Sequence, residues 1–216
     1  MLYLIAFLMA LVAYLIGSIS GAIIISKKVS GTDIRESGSK NAGTTNMLRV
    51  HGKKMAVLTL LVDVLKGVVA VLLGMLVDSV LKNYANGFLV GDMKYIAAIF
   101  AIIGHDFPIY FGFKGGKGVA TSIGVALVLD WKVGLIIMIA SLIIMATTRY
   151  VSLGSVIGAV IYPCIVAAFM LGMNQFNVVY LACAIIIGLL IIVKHKSNIE
   201  RLKNGTENKL FSKKEK

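Results

Sequence analysis

The chain alternates predominantly apolar runs with short polar stretches, and the run lengths decide which kind of protein it can be. Apolar runs extend from Leu2 to Ile25, from Ala56 to Val77, from about Met93 to Ile103 and from Val119 to Thr148. The last of these is interrupted at Asp130-Trp131-Lys132, which reads as a turn between two short helices. Two more runs, Leu153 to Leu171 and Val178 to Val193, lie on either side of the polar pair Asn174-Gln175. About 20 apolar residues cross a bilayer as a helix, and fewer suffice where neighbours bury the helix. The pattern therefore predicts an all-α polytopic helical membrane protein with seven transmembrane helices. They form one domain over residues 1–216, with 196–216 as a tail. A five-helix arrangement with re-entrant short runs leaves the same loops on the same sides. The first run lacks a basic start and a small-residue cleavage site, so it is expected to be a retained helix and not a signal peptide.

Bulk composition agrees. Of 216 residues, 58% are hydrophobic, and the mean hydropathy is +0.90, above the roughly 45–50% apolar content of soluble domains. The formal charge of +12 raises the possibility of nucleic acid. Aromatic residues are few, however, and the basic residues fall between apolar runs, so nucleic acid is set aside. Basic residues instead report orientation, because cytoplasmic loops carry the excess of Lys and Arg. With the N-terminus outside and the C-terminus cytoplasmic, 18 of the 22 basic residues fall inside. Only Lys82, Lys94 and Lys132 fall outside, and Lys66 lies within a span. Cys164 and Cys183 sit in apolar runs without metal-ligand spacing and are expected to be small buried hydrophobes.

Three polar stretches reach the same face in this topology. The first, Gly31 to Asn46 followed by Arg49, is rich in Gly, Ser, Thr and Asn. Such a backbone turns sharply and offers N–H groups to an anion. Thr45-Asn46 can cap the next helix and aim its N-terminus at that anion. Alone, the stretch equally suits a solvated loop. The second stretch runs from Gly104 to Thr121, and its Lys114-Gly115-Gly116-Lys117-Gly118 segment opens a helix. Glycines permit close approach to a phosphate, and the lysines flank it at the positive helix end. GxxxxGK[ST] spacing is absent, which disfavours a nucleoside triphosphatase; a flexible basic loop at the membrane edge is the plain alternative. The third stretch, Lys194 to Glu207, holds His195 and Asn198 at i, i+3, which share a face if the helix continues. A basic tail gripping anionic lipid is its plain alternative, and it is the role assigned to Lys213, Lys214 and Lys216. Inside the second run, Asp63 and Lys66 sit i, i+3 and are expected to neutralise each other; a proton relay is the alternative. Gly17 and Gly21 are expected to serve close helix packing.

Taken together, these residues carry a family resemblance. Gly17-Ser18, then Gly31-x-Asp33-Ile34-Arg35-x-x-Gly38-Ser39-x-Asn41-x-Gly43-x-Thr45-Asn46-x-x-Arg49, resembles the first motif of the bacterial acyl-phosphate:glycerol-3-phosphate acyltransferases. Gly104-His105-x-Phe107-Pro108 with Phe113-Lys114-Gly115-Gly116-Lys117-Gly118-Val119-Ala120-Thr121 resembles the second. His195-x-x-Asn198-Ile199-x-Arg201-Leu202-x-x-Gly205-x-Glu207 resembles the third.

The resemblance implies transfer of an acyl group from acyl phosphate to the 1-hydroxyl of glycerol 3-phosphate at the cytosolic side of the inner membrane. Lysophosphatidic acid and orthophosphate are the products, with no metal and no cofactor. By the same resemblance Ser39, Arg49, His195 and Asn198 are catalytic. Asn41, Thr45, Asn46, His105, Lys114, Gly115, Gly116, Lys117 and Gly118 bind substrate or phosphate, and Glu207 is structural. Membrane lipid and further enzymes of phospholipid synthesis are the implied partners. Lys40 departs from the pattern where glycine is commoner, and Thr44 where alanine is. The rival classes are a transporter of a phosphorylated metabolite and a non-catalytic lipid-binding protein. No internal repeat supports the transporter.

Overall fold

A computed structural model describes residues 1–84 and 89–210; the basic tail positions Lys213, Lys214 and Lys216 lie outside these. Every long element is a helix: α1 (Leu2–Gly17), α2 (Gly21–Ser30), α3 (Thr44–Tyr84), α4 (Met93–Asp106), α5 (Val119–Leu129), α6 (Trp131–Thr148), α7 (Val151–Gly172), α8 (Val178–Lys194) and α9 (Lys196–Lys203). The chain divides into two compact units, Met1–Asp130 and Trp131–Lys216.

Among the described residues, four segments are long and apolar enough to cross a membrane: Leu2–Ser30, Thr44–Tyr84, Trp131–Thr148 and Val151–Gly172. A fifth results if α8 and α9, bent by 61°, count as one span. The fold is thus all-helical and membrane-integral. Each expected run is helical, but α4 with 14 residues and α5 with 11 fall short of an unassisted crossing.

The first expected run is not one helix. It breaks at Ser18–Ser20, where the Ser18 hydroxyl returns to Tyr14 O at 2.8 Å and Ser20 Oγ accepts from Ile23 N to start α2. In the first unit the packing is close because the residues at the crossings are small. A side chain at Gly17 would strike the Ala101 backbone on α4, and one at Gly67 or Gly124 would strike backbone across the α3–α5 crossing. Gly21 lies against Val62, so both glycines of the GxxxG pair serve packing, as expected.

Helix α3 shows how a bilayer inverts the usual pattern. Leu58, Leu61, Leu65, Leu72 and Leu76 are exposed at helical spacing, while Thr59, Asp63, Lys66 and Asp78 are buried. Lipid can cover the leucines, whereas polar groups in a membrane need protein partners. Asp78 finds them at the start of α4, accepting from Met93 N at 2.9 Å and Lys94 N at 3.2 Å, and so caps that helix from its neighbour. In the second unit, α6 packs on α7 and α7 on α8. Cys183 is buried there, but Cys164 is exposed on α7, contrary to expectation: a thiol this apolar can face lipid.

Candidate active site

The first polar stretch is a loop organised by one side chain. Asn46, 1% exposed at the start of α3, donates to Ile34 O (3.1 Å), Ser37 O (3.0 Å) and Asn41 O (3.1 Å), and its Oδ1 accepts from Ser39 N at 2.8 Å. Its amide is fully engaged by loop backbone. It therefore shapes the place where Ser39 and Asn41 sit. Ser39 is exposed beside it, Asn41 and Thr45 are half-buried, and Arg49 is exposed one turn into α3. Lys40, the departure from the family pattern, has φ of 58°, a left-handed backbone that glycine adopts without strain.

The second stretch folds back on the end of α4. Gly115 N–H donates to Asp106 O at 3.3 Å and Gly116 N–H to His105 O at 3.1 Å. These two amides satisfy the carbonyls at the α4 C-terminus, which have no partner within the helix. The glycines are needed for another reason. A Cβ at Gly115 would collide with His105 O, and one at Gly116 would collide with His105 Nε2. Gly118, with φ of 73°, precedes α5, so the loop still delivers a helix N-terminus flanked by Lys117 and the exposed Lys114.

A residue not singled out from the sequence ties the two loops together. Arg35 grips Asp33 as a fork, Nε to Oδ1 at 2.9 Å and Nη2 to Oδ2 at 2.8 Å, while its Nη1 donates to Phe111 O at 2.7 Å and Lys114 O at 2.9 Å. The guanidinium bond holds the Asp33 carboxyl below the ordinary carboxylate range, and Asp33 in turn raises Arg35. The i, i+2 spacing in the first motif was the only sequence signal for the fork. Its reach to residues 76 and 79 positions away was not visible there.

Beneath the second loop lies a buried polar group. Lys66 Nζ is 3.0 Å from Asp63 Oδ1, 2.7 Å from Ile19 O and 2.8 Å from His105 Nδ1. The expected Asp63–Lys66 pair is present, but its extension to His105 comes from the α3–α4 packing.

The third stretch belongs to the second unit. Helix α8 ends at Lys194 and the chain bends by 61° through His195 into α9, so no straight helix carries His195 and Asn198 as expected. His195 is buried with Nδ1 2.8 Å from Ile191 O. Since a carbonyl only accepts, Nδ1 carries a proton and Nε2 is the basic nitrogen. Asn198 Nδ2 donates to Glu207 Oε1 at 2.7 Å, the Ser152 hydroxyl donates to the same oxygen at 2.8 Å, and Arg201 Nε donates to Oε2 at 2.6 Å. Burial alone would raise the Glu207 pKa, but bonds from Asn198, Ser152 and Arg201 outweigh it and hold the carboxyl below its ordinary value. Ser152 is a further residue that sequence reasoning did not flag.

Residues 7–205 match the model of a family described as glycerol-3-phosphate acyltransferase. A Clostridioides difficile glycerol-3-phosphate acyltransferase is 42% identical, covering 96% of this chain and 97% of its own. One from Halalkalibacterium halodurans is 45% identical, covering 96% and 97%. The fold is similar to crystal structures of PlsY (YgiH), an integral membrane glycerol 3-phosphate acyltransferase. Its glycerol 3-phosphate form gives a TM-score of 0.81 at 36% identity, covering 95% of each chain. Its lysophosphatidic acid form gives 0.77 at 34%, also covering 95% of each. A match of this extent, in sequence and in fold, places the chain in the glycerol-3-phosphate acyltransferase family.

Proposed function

We propose that the chain transfers the acyl group of acyl phosphate to the 1-hydroxyl of sn-glycerol 3-phosphate, facing the cytosol from the bacterial inner membrane. The hydroxyl oxygen attacks the acyl carbon and the new ester bond forms. The carbon–oxygen bond to phosphate breaks, and orthophosphate leaves with the electron pair. The hydroxyl proton passes to His195 Nε2 or to a substrate phosphate oxygen. Because acyl phosphate is already activated, proximity and charge stabilisation supply the acceleration, and no covalent enzyme intermediate is required.

The observation that carries this reading is the Arg35 fork. It joins the loop that presents Ser39 and leads to Arg49 on α3 to a loop presenting Lys114, and each loop leads into a helix N-terminus, α3 or α5. Two anionic substrates need such clustered donors to offset their repulsion. His195 and Asn198 enter through the matched third motif. Similarity to structures of a relative in glycerol 3-phosphate and lysophosphatidic acid forms supports acceptor and product.

Residues 1–216 work as one membrane domain with seven spans, the N-terminus outside and the C-terminus inside, as the basic residues indicate. Purified protein given both substrates is expected to release orthophosphate in step with lysophosphatidic acid. Uptake of a phosphorylated metabolite into sealed vesicles without release would instead make it a transporter. An acyl-Ser39 adduct after a single turnover would contradict direct transfer. Cysteine labelling from the same side at positions 53 and 132 would refute the topology.

A further inference from the structure

The buried group of Asp63, Lys66 and His105 exchanges no atom or proton in acyl transfer. All three side chains are buried, at 1%, 5% and 5% exposure. Lys66 Nζ donates to Ile19 O, stands in ion-pair contact with Asp63 Oδ1 and, as an ammonium with donors only, donates to His105 Nδ1. With Nδ1 accepting, the neutral imidazole carries its proton on Nε2. That edge of the ring abuts the Gly116 turn, which leaves no room for a Cβ there, and the same turn is pinned by Gly116 N–H to His105 O at 3.1 Å.

We propose that Asp63 and Lys66 are positioning residues: they hold His105 in its Nε2–H tautomer and so set the Gly115–Lys117 turn for glycerol 3-phosphate. The inference rests on the acyltransferase reading above. A lysine buried this deeply is costly unless it is paired, and here Asp63 neutralises it while Ile19 O and His105 Nδ1 accept its N–H groups. The ammonium's acceptors come from α3, from the break between α1 and α2 and from α4, so the tautomer also registers that these elements are packed.

The test uses the double variant Asp63→Asn/Lys66→Met, which removes both charges of the ion pair together. Its KM for glycerol 3-phosphate is expected to rise about tenfold or more, with kcat and the KM for acyl phosphate within about twofold, as for lost ground-state binding. Nitrogen-15 NMR of the histidine-labelled wild type should show the His105 proton on Nε2. In His105→Gln the amide nitrogen takes the place of Nε2, so this variant should keep more affinity than His105→Asn. Adding Asp63→Asn and Lys66→Met together to His105→Gln should then cost little more in affinity. A folded double variant with unchanged KM, or a wild-type proton on Nδ1, overturns the proposal. Absence of acyl transfer in the wild type overturns the functional reading itself, whereas unchanged KM with normal turnover overturns only this inference.

Discussion

The two units organise charge in opposite ways. In the first, exposed cations stand at loop tips, and the side chains that shape those loops, Asn46 and Arg35, bond mainly to backbone carbonyls. In the second, three donors converge on one internal carboxylate, Glu207, and the catalytic candidates are buried beside the bend at His195. One arrangement leaves positive charge for a ligand to neutralise; the other is already neutralised from within. Exposed groups of the first kind can be removed with little effect on folding, while groups of the second kind tie function to stability.

The largest expected effects lie in the first unit. Ser39→Ala and Arg49→Ala should each lower kcat/KM by about 10²–10³, the usual cost of removing a donor to developing charge. Thermal stability should be unchanged, since both side chains are exposed. A comparable loss of stability would erase the contrast between the units. Arg35→Lys keeps the charge but not the fork, and is expected to weaken binding of both substrates by roughly 10-fold.

In the second unit, Glu207→Ala strands the Asn198 and Ser152 donors and should destabilise the protein by about 1–3 kcal/mol. Activity should fall in parallel, as Asn198 loses its anchor. The pH dependence has a definite sign. Glu207 is held below its reference value of 4.5, so its contribution is complete above that value and is lost as pH falls through the lower folded value. Thermal unfolding followed across this acid range should show the loss in the wild type but not in Glu207→Gln. The smallest effect belongs to Lys40→Gly. Relief of the left-handed backbone, offset by the flexibility of glycine in the unfolded chain, should raise stability by about 0.5–1 kcal/mol, readable by thermal denaturation.

Much of this was legible from local pattern. The turn at Asp130 appears where its polar triplet predicted, with Asp130 ending α5 and Trp131 opening α6. The i, i+3 pairing of Asp63 and Lys66 follows from helical spacing alone. The break at Ser18–Ser20 was hidden because the run stays apolar across it, and the serines that end one helix and cap the next are too few to register. The inward turn of the Gly115 and Gly116 amides was hidden because a glycine reads the same whether its N–H faces a ligand or another helix's carbonyls.

By itself, then, the sequence determined the solvent of this protein, the helices that meet it and the three polar stretches with their family pattern. Hydrophobic length and the kinds of donor present are properties of contiguous residues. Only the tertiary structure decided what each donor is for. Arg35 joins two loops, Lys66 reaches His105, and Ser152 meets Glu207 across separations of 76, 39 and 55 residues. Hydrogen bonds at such range depend on how helices pack, and no local spacing encodes that.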